Sequence, residues 1–343
     1  MEFISRLKRS IIGCCITRTT AILCISFFTS VASRAQDIHS KELLLMGSRF
    51  ELIASDKDQE RAWYAIQAAE LEISRIETMI SSWQEDSYTS EINRKAGKEA
   101  VWVPDEMYQL IARAQKVSEL TQGAFSLAFG SVYHLYDFSK AEVTLPPDST
   151  ITTYLPLTDY RNILLNPDNQ TILLKYPGMK IGFGAIGKGY AADQAKSVML
   201  KMGIFAGCIN AGGDLTTWGS RPDGSEWNIG ISDPKEKATI LAYLPAKNKA
   251  IVTSGDYEKY FLYKGERYSH IVDPRTCRPV QEISSATVIC PSAELADALA
   301  TAVCVLGKRD GLALIDKLSG IEAIIVGQNG EKIASKNIVL EGY

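Results

Sequence analysis

The sequence predicts a chain of mixed helices and strands, forming one large domain or two intimately joined lobes. Three observations predict it. Segments with apolar residues three and four apart alternate with segments rich in β-branched and aromatic residues. Clusters of Gly, Pro, Asn and Asp separate them. Residues 36–343, beyond an N-terminal leader, are enough to bury a full core. There is no periodic repeat, low-complexity tract or coiled coil.

In the leader, Arg6, Lys8 and Arg9 precede an apolar run from Ile11 to Val31 that Arg18 interrupts, and Ser33-Arg34-Ala35 ends it with small residues where a signal peptidase reads. This predicts a signal peptide over residues 1–35, cleavage after Ala35 and export to the periplasm; an uncleaved membrane anchor is the alternative. No lipobox is evident, since Cys24 follows Ile22-Leu23 and Cys14 precedes most of the apolar run. The whole chain has 37 Lys plus Arg against 40 Asp plus Glu; beyond the leader the balance is 32 against 39, a net of about -7. That charge attracts neither nucleic acid nor anionic lipid, and no second stretch is long enough to span a bilayer. Four cysteines remain, without CxxC or metal-ligand spacing. Cys208, Cys290 and Cys304 lie in apolar settings and read as core, whereas Cys277 lies in a polar loop and is expected to be exposed. Export would permit one disulfide, whose pairing the sequence does not assign.

Along the chain, residues 43–54 have a strand pattern broken by Gly47, where backbone could approach a ligand closely. Asp58 opens an amphipathic helix marked by Ala62, Ile66, Ala69, Ile73, Ile76 and Ile80. A hydroxyl-rich loop occupies 81–97, and Pro104-Asp105 opens a second helix to about Leu120. Residues 123–160 read as a variable loop or insertion, with plain packing as the alternative. Ile163–Leu165 and Thr171–Tyr176 make a hairpin across NPDNQ. Four glycines in IGFGAIGKG lead into a helix to Leu200. Such a turn, with Lys188 beside it, is an anion-binding candidate or a helix cap, but it is neither GxGxxG nor Walker A. A strand runs into Asn210-Ala211-Gly212-Gly213-Asp214, whose paired glycines suggest close contact with something bulky. Strands follow at 227–231 and 239–244.

Val252 to Pro279 gathers polar groups at both ends of a hairpin. Thr253, Ser254, Gly255 and Asp256 read as a hydroxyl-rich turn, Phe261, Tyr263, Gly265 and Glu266 as two strands and their turn, and His270, Asp273, Arg275 and Thr276 as the polar run beyond. An ordinary meander is the alternative. After a strand at 284–290, the helix from Ala293 to Leu306 carries Asp297 and Thr301 four residues apart, on one face. A carboxylate and a hydroxyl on an apolar face are costly unless paired or bound to a cation, so a hard-metal site or an internal hydrogen bond is expected. A helix at 310–318 and strands at 322–326 and 333–339 close the chain.

The strings MGS at 46, SSW, S and IN between 81 and 93, GAIGKGYAAD at 184, NAGGD at 210, TSGDYEKY at 253, HIVDPRT at 270 and ADALATA at 296 stand in the order seen in periplasmic ApbE-type flavin transferases. The resemblance covers about residues 42 to 340. It implies an α+β fold, a compact two-lobed arrangement of sheet-and-helix halves with the cofactor between them. It also implies Mg²⁺-dependent transfer of the FMN half of FAD to a Thr or Ser hydroxyl of an acceptor subunit in a membrane redox complex, with release of AMP. Some members instead hydrolyse FAD or mainly bind flavin.

Carried onto this chain, the resemblance places Met46 against the isoalloxazine, Lys188 near the flavin and Asn210, Gly212, Gly213 and Asp214 along the cleft. Thr253, Ser254, Gly255 and Asp256 fall on the adenosine-phosphate side, with His270 near the pyrophosphate. It makes the Ala185 carbonyl, the Asp297 carboxylate and the Thr301 hydroxyl the metal ligands. His270 is the implied general base, with Asp256 or Asp273 orienting it or replacing it. Oxygen ligands alone do not separate Mg²⁺ from Ca²⁺ as occupant, and the sequence leaves open whether the protein forms a homodimer. The chain departs from the family at Gly182 and Ser126, where Asp is usual, at Ala128 for Thr, at Tyr88 for Glu and at Cys277 for Gly. These changes put transfer rate and acceptor recognition in doubt more than flavin binding.

Overall fold

The computed structural model describes residues 37–136, 145–234, 236, 239–256 and 260–338. The expected signal peptide and its cleavage site lie outside the described residues. In chain order the elements are β1 (Asp37–Leu45), β2 (Ser48–Asp56), α1 (Gln59–Ile80), α2 (Tyr88–Arg94), β3 (Val101–Trp102), α3 (Asp105–Leu120), α4 (Asp148–Thr158), β4 (Ile163–Asn166), β5 (Thr171–Leu174), α5 (Gly187–Lys201), β6 (Gly207–Ala211), β7 (Asp214–Trp218), β8 (Trp227–Ser232), β9 (Ile240–Ala246), β10 (Ala250–Gly255), β11 (Tyr260–Tyr263), β12 (Glu266–Ser269), β13 (Val272–Asp273), β14 (Arg278–Pro279), β15 (Ile283–Cys290), α6 (Ala293–Ile315), β16 (Glu322–Gly327) and β17 (Lys332–Ala334).

Eight strands form one antiparallel sheet in the order β1-β2-β6-β7-β10-β15-β16-β17. Alternation along β10 and β15 assigns its two faces. Ala250, Val252, Val288 and Cys290 enter the main core, where α1 lies on β2, α5 on β6 and β7, and α6 on β10 and β15. Ile251 and Ile289 point the other way, under Trp227, Ile229 and Ala246 of the β8–β9 hairpin. A three-stranded sheet, β3-β5-β4, adds Val101, Ile163, Ile172 and Leu174 to the main core. A smaller core joins Ile151 of α4, Phe261 of β11 and Val272 of β13 to Tyr136 and Cys277.

Local chemistry sets the boundaries. Asp58 accepts the Arg61 amide at 3.1 Å and starts α1. Ile66, Ala69, Ile73, Ile76 and Ile80 form its buried stripe, each isoleucine contributing about 1.5–3 kcal/mol relative to exposure. Lys264 and Gly265 both have positive φ, 52° and 81°, as a two-residue hairpin turn between β11 and β12 requires.

Several sequence expectations are corrected. The 81–97 segment contains α2, because Ser87 accepts the Ser90 amide at 3.0 Å and caps it. Thr253, Ser254 and Gly255 form no turn; they pair with Thr287, Ala286 and Ser285 inside the sheet. The 123–160 region holds short 3₁₀ turns and α4, while 137–144 lie outside the described residues. The helix expected at 310–318 continues from α6 across a break at Gly307, whose φ is 82°. Cys277 is 0% exposed, because its thiol lies 3.6 Å from the Thr158 hydroxyl and its carbonyl accepts the Tyr136 hydroxyl at 2.6 Å. All four cysteines of residues 37–338 are buried, and no disulfide joins any two of them. No helix of the described residues is long and apolar enough to cross a membrane.

A polar network ties four helices together. Arg75 of α1 bonds Glu72 and, at 2.7 and 2.8 Å, Glu106 of α3. Tyr190 of α5 donates to Glu106 at 2.6 Å, and Arg113 of α3 lies over the Tyr190 ring and pairs with Glu294 of α6 at 2.7 Å. Arg75 holds the Glu106 carboxyl below its ordinary value of 4.5, against the opposing effect of burial and with help from the Tyr190 hydroxyl. A depressed folded-state pKa contributes stability above the unfolded value and loses it as pH falls through the folded one. Glu106→Gln is therefore expected to cost stability near neutrality and to converge with the unsubstituted protein as pH falls through the lowered folded-state value of Glu106, as measured by urea denaturation at a series of pH values.

Candidate functional site

Two tight turns and two helices meet at one end of the large sheet. The β1–β2 turn uses Met46 and Gly47 at φ 50° and 68°, and the β6–β7 turn uses Gly212 and Gly213 at 65° and 104°. Both lie in the left-handed region that glycine enters without strain. Asn210 stiffens the second turn by accepting the Gly213 amide at 2.8 Å. The Gly212 amide donates to the Arg49 carbonyl at 2.8 Å, and a Cβ on Gly212 would lie 2.9 Å from that of Ser48. The turns are thus locked side by side. A Cβ on Gly187, the first residue of α5, would lie 3.6 Å from the Met46 methyl, which puts Met46 over the start of that helix.

Lys188 follows, and its ammonium pairs with Asp214 at 2.5 Å and lies 3.9 Å from an oxygen of Asp297 on α6. Gly189 permits the helices to meet: a Cβ there would be 2.2 Å from the Ala293 carbonyl oxygen. Its amide donates to the same Asp297 oxygen at 3.1 Å. Asp193, one turn further along α5, accepts the Ser292 hydroxyl at 2.8 Å and the Glu294 amide at 3.0 Å, and so fixes the start of α6. Asp297 is 2% exposed, and burial pushes its carboxyl up, against the opposing pull of Lys188 and the Gly189 amide. Thr301, one turn on, shares a hydrogen bond of 3.3 Å with Ser254 of β10. Ala185 sits half-buried in the turn before α5.

Thr253 bonds the Thr287 hydroxyl at 2.9 Å. Just past β10, the Asp256 carboxylate accepts from Ser284 at 3.3 Å and from the Gln328 amide, with Arg267 at 3.7 Å. His270 is half-buried between β12 and β13. Asp273 turns back on its own loop, accepting from the Arg275 amide and guanidinium at 2.8 and 2.9 Å. The structure therefore brings together Met46, Lys188, Gly212, Asp214, Asp297, Thr301 and Ser254. It engages Asp256 and Asp273 with partners of their own.

Sequence reasoning misses Arg267, Ser284 and Gln328 around Asp256, residues scattered over sixty positions with no spacing to join them. It quotes Asn93 only as part of a motif and misses its role: the side chain clamps Ile181 through both backbone groups, at 2.8 and 3.0 Å, and so fixes the irregular segment leading to α5. Of the departures, Ser126 accepts the Ala128 amide at 3.1 Å and donates to the Thr158 carbonyl at 3.0 Å, while the Phe129 ring lies 3.7 Å from where Gly182 would carry a Cβ.

A family model described as the ApbE family matches residues 46–325. The chain belongs to that family. The FAD:protein FMN transferase of Klebsiella pneumoniae is 32% identical over 300 residues, covering 87% of this chain and 92% of that protein. The one from Treponema pallidum is 29% identical over 318 residues, covering 85% and 87%. The crystal structure of the ApbE protein of Thermotoga maritima matches with a TM-score of 0.81 at 31% identity, covering 88% of this chain and 98% of that one. The apo flavinyl transferase ApbE of Pseudomonas stutzeri gives 0.78 at 26%, covering 88% and 95%. The fold is thus the α+β fold of ApbE proteins.

The helix contact at Gly189 gives this ApbE-family site a sharp test. Gly189→Ala drives a methyl into α6 backbone that cannot yield, and is expected to cost about 3 kcal/mol. Chemical denaturation reads the loss, and a midpoint unchanged from that of the unsubstituted protein would contradict the close approach.

Proposed function

We propose that this ApbE-family chain is a Mg²⁺-dependent FAD:protein FMN transferase. It would move the FMN half of FAD onto a Thr or Ser hydroxyl of an exported or membrane redox protein and release AMP. The relatives from Klebsiella pneumoniae and Treponema pallidum carry that activity in their names. The observation that carries the reading on this chain is Asp297, a buried carboxylate one helical turn before Thr301, whose hydroxyl bonds that of Ser254, and within reach of the Lys188 ammonium and the Gly189 amide.

That donor set fits a hard cation. No group of three His, Cys, Asp or Glu residues among those described could hold a metal, so one carboxylate must be completed by neutral oxygens, as Mg²⁺ tolerates. Asp297 and Thr301 would hold it, with the Ala185 carbonyl. Burial works against the ionised form of Asp297, and a bound cation would favour that form. When bound, the ion would draw charge from the pyrophosphate and stabilise the departing AMP.

The remaining roles fall to the chain. Gly213, with nothing within 4 Å of where a Cβ would lie, leaves space for close approach of the cofactor, and Met46 offers an apolar contact for the flavin ring. His270 would take the proton from the acceptor hydroxyl as its oxygen bonds to the FMN phosphorus. The bond from that phosphorus to the AMP oxygen breaks, and AMP leaves. His270 suits this step because an imidazole can take up and release a proton near neutrality. The leader would deliver the enzyme to the periplasm, where its acceptor would present a hydroxyl.

Incubation with FAD, Mg²⁺ and a Thr-containing acceptor fragment is expected to add one FMN mass to the acceptor, and EDTA to abolish the gain. AMP release without that gain would make the chain an FAD pyrophosphatase; retained FAD without turnover would make it a flavin-binding protein. His270→Ala is expected to lower turnover roughly 100-fold or more while FAD affinity, read by flavin fluorescence, stays near that of the unsubstituted enzyme. Loss of binding alone would move His270 to a cofactor contact.

A further inference from the structure

Lys188 stands between two carboxylates. Its ammonium is 2.5 Å from Asp214 Oδ2 and 3.9 Å from Asp297 Oδ2. Both aspartates are buried, so their charges need a nearby cation in the absence of metal. A divalent ion on Asp297 would be repelled by an ammonium this close, because two cations sharing one carboxylate in a poorly solvated site are weakly screened. Asp214, the first residue of β7 rather than part of either helix, gives the ammonium a second anchor away from Asp297.

We propose that Lys188 is the resident counter-ion of the metal-free site, and that a divalent cation binds Asp297 by driving the Lys188 ammonium away from Asp297, leaving it on Asp214, which it already contacts. This rests on the assignment of the metal to Asp297. Metal-free, Lys188 holds the Asp297 charge in place and the α5–α6 junction closed. Metal-bound, the same ammonium stays on Asp214 beside the glycine turns, where it can face an anionic group of the substrate. The Asp214 pairing thereby sets how readily the exchange occurs.

The exchange makes two substitutions act in opposite directions. Lys188→Met removes the competitor, so Mg²⁺ titrated calorimetrically into the full chain is expected to bind about ten-fold more tightly. Its melting temperature in EDTA should fall, because Asp297 loses its counter-ion, and Mg²⁺ should raise it by more than in the unsubstituted protein. Asp214→Asn removes the second anchor and leaves the ammonium to Asp297, so Mg²⁺ is expected to bind about ten-fold more weakly. General loss of structure would weaken binding in both variants. If Lys188→Met does not fold, Asp214→Asn carries the test: binding equal to or tighter than that of the unsubstituted protein overturns the exchange.

Asp297→Asn separates the two levels of the claim. If it abolishes Mg²⁺ binding while Lys188→Met binds no more tightly than the unsubstituted protein, the exchange is overturned and the metal assignment stands. If the unsubstituted protein binds no Mg²⁺, or Asp297→Asn binds it equally well, the assignment fails and the exchange falls with it.

Discussion

A carboxylate with almost no contact with water must be matched by its surroundings, and at Asp297 that demand governs the whole end of the molecule. The match comes from α5, which supplies the Gly189 amide and the Lys188 ammonium. Both can reach only because Gly189 has no side chain and lets α5 approach the α6 backbone. Asp193 then ties the start of α6 to α5, and the network from Arg75 to Glu294 braces the outer side of the same helices. Each contact limits the sliding of α5 along α6, which would separate Asp297 from its partners.

The sheet supplies the complementary wall. Its strands end at the two turns built on Met46-Gly47 and Gly212-Gly213, and the backbone link from Gly212 to Arg49 makes them one edge. Helices thus bring charge and strands bring backbone that can be approached closely. Lys188 joins the two, since it starts on α5 and its ammonium ends on Asp214 at the start of β7. Away from this junction Phe129 lies close to Gly182 and Gly184. An aspartate at 182 would have to share that space with the aromatic ring, which gives a steric basis for reading this part of the wall as changed from the family pattern.

Much of this was legible in the residues. Asp58 and Pro104 announced α1 and α3, because caps and proline act within a turn of where they stand. Asp297 and Thr301 were legible as a pair, since four residues make one helical turn. Thr253–Gly255 were not: small hydroxyl residues beside Gly favour turns locally, and only pairing with β15 makes them strand. Cys277 was misread because its neighbours in sequence are polar, while its neighbours in space are Tyr136, Thr158 and Phe261. The pairing of Lys188 with Asp214 joins residues 26 apart, and nothing in their spacing records it.

The large sheet has one further property: its spatial order is its chain order. From β1 to β17 each sheet strand lies beside the sheet strand that precedes it in the chain, and β3–β5, β8–β9 and β11–β14 are all loops hung between neighbours. A chain emerging from its N-terminal end therefore finds the docking edge for every new strand already laid down. Assembly can proceed by accretion at a single growing edge, and no strand has to be threaded between two that have already joined.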